Sequence, residues 1–128
     1  FKPLPKEDIQ QFKQQSIPGA EDKFLFFWNN RNARRKQSGS LLWWFKEFLD
    51  TVGHDKATLL MHTDPKDPHG QDLEAIVRQL KLTEGQVLLS ANKMSPQDLA
   101  KIVNMCDCTI NISDAEGFGL ATLESLSC

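Results

Sequence analysis

The sequence is short of the features that mark several large classes of protein. It holds three cysteines in 128 residues, an odd number without the spacing of a disulfide framework, so we expect a reducing cytoplasm. Its apolar runs are no longer than five residues, whereas a membrane-spanning helix needs about 20. The net charge is -2, without the basic excess of a nucleic-acid-binding protein. These absences predict a cytoplasmic protein without a membrane span or a nucleic-acid partner.

Composition and chain ends indicate one folded domain with a lead-in. Hydrophobic residues make up 40% and charged residues 25%, as in globular proteins. Residues 1–22 are polar and broken by prolines, which predicts an interdomain linker or lead-in segment, whereas residues 23–128 carry the pattern of a domain. The chain opens on Phe1 rather than on methionine and closes at Cys128 within a helical pattern. We therefore expect a fragment, with its domain truncated at the C-terminus.

Short apolar segments alternate four times with amphipathic helical patterns. This alternation predicts an α/β fold: a Rossmann-like parallel sheet with helices on both faces. In such sheets, ligands bind beyond the carboxyl ends of the strands. Strands are predicted at 23–28, 57–61, 86–89 and 109–112, and helices at 38–52, 73–80, 95–106 and 119–128.

The loop after the first predicted strand is rich in cations. Four of the six residues at 31–36, named here the basic loop, are Arg31, Arg34, Arg35 and Lys36. Cations focused at the carboxyl end of a strand favour an anionic ligand, above all a phosphate. The same loop is equally compatible with a solvated basic surface, and only weakly with a nucleic-acid patch.

The segment after the fourth predicted strand combines glycines with two glutamates. Gly117 and Gly119 let the backbone approach a ligand closely, and amides at the start of the following helix favour an anion. Glu116 precedes that helix, and Glu124 lies about one and a half turns into it. Carboxylates beside an anion site suit a sugar nucleotide. By spacing alone, a glycine turn with two solvated glutamates explains the segment at least as well.

A family resemblance favours the sugar nucleotide. The run Glu116-Gly117-Phe118-Gly119-Leu120 followed by Leu123-Glu124, named here the acidic motif, resembles the Glu-x₇-Glu motif of retaining GT-B glycosyltransferases of the group 1, or family-four, type. Residues 99–113, the basic loop and residues 1–4 are similar to further parts of that family, in the same order. The resemblance implies the C-terminal donor-binding domain of a two-domain enzyme.

The resemblance implies three catalytic residues. Arg31 and Lys36 would contact the donor diphosphate and stabilise it as it leaves, and Glu116 would hold hydroxyls of the donor sugar. Arg35 is a rival to Lys36 for the second phosphate contact. Asn30 and Gln37 stand where the family carries glycine. Arg34 and Arg35 are extra cations, so the register of the second phosphate contact is left open.

Further donor contacts are implied around these residues. Amides in the acidic motif would face sugar and phosphate, Glu124 would bind the ribose hydroxyls, and the third loop would lie near the nucleobase. His62, at the end of the second strand, is a minority candidate for donor contact. The implied donor-binding residues are Arg35, Lys93, Met94, Gly117, Phe118, Gly119, Leu120 and Glu124.

The implied enzyme transfers a glycosyl group with retention and is a hexosyltransferase in type. The donor is a UDP-, GDP- or ADP-linked sugar, and an acceptor sugar or lipid binds a missing N-terminal domain, so this fragment alone is expected to be inactive. The chain has no Asp-x-Asp, which agrees with metal independence, and no cofactor is expected. Peripheral membrane association of the full-length protein is left open. Two alternatives are a non-catalytic nucleotide or nucleotide-sugar binding module of the same fold and an unrelated flavodoxin-like domain.

Overall fold

Helices and strands alternate through the chain. The computed structural model describes residues 2–16, 22–30, 32–33, 36–68, 70–91 and 94–112. The predicted last helix, 119–128, lies outside these ranges. Within them, the helices are α1 (Lys6–Ser16), α2 (Ser38–Val52), α3 (Leu73–Gln79) and α4 (Pro96–Met105), and the strands are β1 (Phe24–Asn29), β2 (Ala57–His62), β3 (Val87–Ser90) and β4 (Cys108–Thr109).

The described strands form one parallel sheet in the order β3-β2-β1-β4. Phe24 to Asn29 pair in register with Ala57 to His62, and Leu59 to His62 pair with Val87 to Ser90. On the other side of β1, Phe26 and Phe27 pair with Cys108 and Thr109. The predicted α/β fold, a Rossmann-like parallel sheet, is confirmed. Its central strands are hydrophobic on both faces, as strands between two helical layers must be.

Two apolar clusters cover the two faces of the sheet. In β1, Trp28 belongs to the cluster under α2 and α3, whereas Leu25 and Phe27 belong to the cluster under α4. This split follows from the two-residue period of a strand. All three side chains are at most 2% exposed. Helices therefore lie on both faces, as predicted.

Helix α1, within the predicted lead-in, packs onto the domain. Phe12 lies against the α4-side cluster, and Nζ of Lys101 is 5.8 Å from the centre of its ring. Asn104 on α4 accepts a hydrogen bond from the Leu4 amide and donates one to the Lys2 carbonyl, each at 3.0 Å. The boundary between residues 22 and 23 stays a prediction, but the lead-in contributes to the packing.

Helix α2 shows where periodicity misled. The apolar residues at helical spacing in α2 include Phe48 and Val52, yet these side chains are 41% and 42% exposed, while Leu42 is fully buried. The stripe on this apolar helix is too wide for periodicity to select the inward face. The helix end was predicted correctly: Gly53 has φ 114° and its amide donates to the Leu49 carbonyl at 2.8 Å.

Asp107 joins β4 to β1 ahead of the two-residue ladder. Its side-chain Oδ2 accepts a hydrogen bond from the Leu25 amide at 2.8 Å, and its own amide donates to the Leu25 carbonyl at 2.8 Å. The carboxylate thus extends a very short strand pairing.

We expect Asp107→Ala to lower the free energy of unfolding by about 1–2 kcal/mol, because the Leu25 amide loses its acceptor. Asp107→Asn keeps an oxygen acceptor and should cost less than half as much. Urea unfolding of the three proteins measures both effects. Equal losses in the two variants would show that the hydrogen bond does not stabilise the pairing.

Candidate functional site

The carboxyl ends of β1 and β4 lie side by side at the point where the strand order reverses. From β1 the chain proceeds outward to β2 and β3, and then crosses to β4 on the opposite side of β1. A crevice at such a reversal is the usual ligand site of open α/β sheets. The basic loop follows β1, and the segment leading to the acidic motif follows β4. The topology therefore places the two candidate segments after neighbouring strands, which sequence spacing alone could not establish.

The structure describes two of the predicted site residues, Lys36 and Met94. Both lie at the carboxyl end of the sheet, Lys36 after β1 and Met94 after β3. The remaining predicted site residues lie outside the described ranges: Arg31, Arg35, Lys93, Glu116, Gly117, Phe118, Gly119, Leu120 and Glu124. Their roles stay predictions.

A fully buried asparagine anchors the basic loop. Nδ2 of Asn32 donates to the carbonyl of Gln71 at 2.7 Å, and its Oδ1 accepts from Oγ of Ser38 at 2.8 Å. A Cβ added to Gly70 would overlap the Asn32 carbonyl, so the loops after β1 and β2 meet at the backbone. Sequence reasoning missed Asn32, because nothing distinguishes it from its neighbours Asn29 and Asn30 before the loops are brought together.

Lys36 is held in the wall of the site rather than extended into solvent. Only 5% of this residue is exposed, and its amide donates to the Ala33 carbonyl at 2.9 Å. A buried ammonium requires compensating polar or anionic partners, so its position is restricted. It lies two residues before the first residue of α2, which puts a cation at the positive end of the helix dipole.

The start of α2 is built differently from the starts of α3 and α4. Asp72 and Ser95 cap those helices by accepting from the amides of Ala75 and Asp98, each at 3.2 Å, and Ser95 with Pro96 confirms the predicted helix start. At α2, the N-cap Gln37 makes no side-chain capping hydrogen bond, and the first turn carries no acidic residue. First-turn amides in this state suit an anion.

Gln37 adopts the left-handed conformation, with φ 59° and ψ 34°. Glycine favours this conformation, because a Cβ is strained there. The position is one where the resembling family carries glycine. Gln37 adopts a turn that glycine favours, and its Oε1 accepts from Oγ of Ser40 at 3.0 Å.

A second polar feature lies at the carboxyl ends of β2 and β3. Nδ1 of His62 is 3.2 Å from Oγ of Ser90, and the two residues are paired in the strand register. Burial lowers the pKa of His62 below its usual value of 6.5, while hydrogen bonding to Ser90 acts in the opposite direction. Burial therefore favours the neutral imidazole. Met94 and this pair line one cavity, which lies between the sheet and helices α1 and α4.

Within the described ranges, His54, Cys106 and Cys108 are not placed for chemistry at this edge. His54 is exposed and 2.7 Å from Oδ1 of Asp50, which agrees with its predicted surface position. Cys106 is partly buried, and burial raises the pKa of its thiol to about 12. Cys108 is exposed, because β4 is the edge strand of the described sheet.

Metal binding and membrane crossing were the remaining predictions. Within the described ranges, no group of three or more His, Cys, Asp or Glu residues is arranged to hold a metal ion. No described helix has the length and apolar character to cross a bilayer. Metal independence itself stays a prediction.

Known proteins resemble this chain in structure but not detectably in sequence. No family model and no curated protein matches it. The N-terminal domain of trehalose-6-phosphate phosphatase from Candida albicans covers 96% of this chain with a TM-score of 0.77 and 19% identity. The C-terminal domain of the glycosyl transferase group 1 family protein LpcC from Francisella tularensis covers 99% with a TM-score of 0.74 and 22% identity. A UDP-forming α,α-trehalose-phosphate synthase from Burkholderia xenovorans, in complex with glucose-6-phosphate, covers 99% with a TM-score of 0.65 and 15% identity.

At these identities the similarity shows the fold. This chain spans 28%, 63% and 33% of those three structures, respectively. It therefore has the α/β, Rossmann-like fold found in glycosyltransferase domains, including a C-terminal domain of the group 1 type. The retaining mechanism, the donor and the acceptor are matters for proposal.

We expect Asn32→Ala to lower the free energy of unfolding by about 2–3 kcal/mol, because two hydrogen bonds are lost and a buried carbonyl is left without its donor. Asn30→Ala, in the same loop at a half-buried position, should change stability by about 0.5 kcal/mol or less. Denaturant unfolding compares the two. Similar losses of stability in the two variants would show that Asn32 does not anchor the loop.

His62 should make stability depend on pH below about 6.5. Because its pKa is lower in the folded state, the unfolded chain takes up a proton first, so the contribution is present above pH 6.5 and is lost as the pH falls through the folded pKa. Melting temperatures measured from pH 8 to 5 should fall less for His62→Gln than for wild type. The exposed-site variant His54→Gln should keep the wild-type decline. An unchanged decline in His62→Gln would contradict the burial argument.

Proposed function

We propose that this chain is the donor-binding domain of a retaining glycosyltransferase and binds a nucleotide-diphosphate sugar. The observation that carries the proposal is the pairing of β1 with β4, which brings the basic loop and the segment before the acidic motif to neighbouring strand ends. The fold shared with glycosyltransferase domains supports the same assignment. Together with the family resemblance of the acidic motif, these features favour an enzyme in the full-length protein.

The diphosphate lies at the start of α2. Lys36 supplies a positionally restricted cation next to that helix start, and Arg31, with Arg35 as the rival to Lys36, adds charge from the same loop. As the bond between sugar and diphosphate breaks, negative charge grows on the leaving phosphate oxygens. Cations and helix amides already aimed at that charge stabilise the transition state. This is the work a divalent metal does in other transferases, so we expect no metal or other cofactor.

The sugar and nucleoside are held by the flanking loops. Glu116 accepts hydrogen bonds from hydroxyls of the donor sugar, and Glu124 does the same for the ribose. Lys93 and Met94 lie near the base. The amides of four residues in the acidic motif face sugar and phosphate: Gly117, Phe118, Gly119 and Leu120.

The acceptor, a sugar or a lipid, binds a second domain. Each of the three similar structures is longer than this chain, which agrees with a site completed by additional polypeptide. We therefore expect these 128 residues to bind donor but not to transfer sugar. A cytoplasmic location, with peripheral membrane association of the full-length protein left open, is consistent with this assignment.

A non-catalytic nucleotide-sugar binding module is the second candidate. The observation in its favour is that a domain of a protein named as a phosphatase shares the fold, so the fold occurs in proteins with different named activities. Hydrolysis of donor or transfer to acceptor by the full-length protein would select the enzyme. Donor binding without either reaction would select the module.

The diphosphate site makes a direct prediction for Lys36. Lys36→Met removes the charge and keeps much of the volume, so affinity for the tightest binder among UDP, GDP and ADP should fall about 10- to 100-fold. Lys56→Met, at an exposed position, should leave that affinity within about twofold. Isothermal titration calorimetry gives both values. Folded wild-type protein that binds none of the three nucleotides would refute the proposed function.

A further inference from the structure

An apolar cavity of about 510 Å³ lies between the sheet and helices α1 and α4. This volume is within the range of small-molecule sites. Its apolar lining comes from four elements and from the loop after β3: Phe12, Leu60, Leu88, Met94, Ile102 and Met105. Such a lining suits the flat faces of an aromatic ring, which gain from contact with methyl groups and sulfur.

The polar lining of the cavity gathers at its carboxyl end. His62 and Ser90 come from the last positions of β2 and β3, and Asp98 comes from the first turn of α4. Because Ser90 engages Nδ1 of His62, Nε2 is the ring nitrogen that a ligand would meet. A neutral imidazole held at one nitrogen discriminates between hydrogen-bond donors and acceptors at the other.

The polar end of the cavity lies at the same edge of the sheet as the proposed diphosphate site. Asn29, His62 and Ser90 occupy one row across β1, β2 and β3. Neighbouring strands are about 4.8 Å apart, so His62 lies about one strand spacing from the residue that leads into the basic loop. A ring in the cavity and a diphosphate at α2 can therefore belong to one nucleotide that crosses the edge of the sheet.

We propose that His62, oriented by Ser90, is a specificity-determining residue that contacts the polar edge of the donor's base while the ring lies in this cavity. The inference rests on the proposed function, because it assigns the base of the same donor. It adds a residue pair outside the basic loop and the acidic motif. Met94 then contacts the ring through its thioether, and the selection among bases falls to His62.

The test compares base selectivity with phosphate binding. Affinities of UDP, GDP, ADP and inorganic pyrophosphate are measured by calorimetry for wild type, His62→Leu, His62→Gln and Ser90→Ala, with thermal unfolding to verify folding. We expect His62→Leu to weaken the preferred nucleotide about tenfold and to leave pyrophosphate within about twofold. His62→Gln should shift the order of preference, and Ser90→Ala should reduce selectivity. His54→Leu, at an exposed histidine, is the matched control.

Different outcomes overturn the proposed function and the proposed role of His62. If wild type binds nucleotides with the Lys36 dependence stated above but His62→Leu weakens all three equally or not at all, the role of His62 is overturned and the donor site stands. If His62→Leu is unfolded, an unaltered order of preference in His62→Gln overturns it alone. Absence of nucleotide binding by wild type overturns both.

Discussion

The pairing of β1 with two different neighbours is the constraint on which the structure depends. With β2 on one side and β4 on the other, the connections run in opposite directions from the same strand. Right-handed crossovers then place α2 and α3 on one face of the sheet and α4 on the other. The two apolar clusters follow from this arrangement. The same arrangement leaves the ends of β1 and β4 without a connection between them, which is the position where open α/β sheets usually bind ligands.

Contacts between the loops after β1 and β2 fix the backbone at this position. Asn32 ties the loop after β1 to the loop after β2, and the close approach at Gly70 leaves no room for a side chain. Lys36 is therefore buried next to the start of α2, and its position is restricted. A buried cation and helix amides that are already in place need little reorganisation when a phosphate binds, as the proposed diphosphate site requires.

The sequence predicted β1 to β3 and α2 to α4 to within one residue at each end, since their signals are local. The fourth strand was predicted at 109–112 but is Cys108–Thr109, because its bounds depend on pairing with β1. The Ser95-Pro96 start and the Gly53 end of their helices depend on capping and backbone conformation, and both were confirmed. Helical spacing did not identify the inward face of α2, because its aromatic residues occupy more than one stripe. Leu42 is buried there, and Phe48 is exposed. The contacts of Asn32 and the pairing of His62 with Ser90 could not be predicted from sequence patterns, because each contact involves a partner in another strand or loop.

The sequence by itself determined the alternation of strands and helices, the two candidate loops and their chemical character. Periodicity, caps and charge are properties of neighbouring residues, so they can be recognised in the sequence before the fold is known. Only the tertiary structure decided that β4 adds beside β1, that Lys36 is buried and that His62 stands at the polar end of an apolar cavity. Those facts depend on strand pairing and on contacts between residues far apart in the chain, where the free energy of packing, rather than local preference, selects the arrangement.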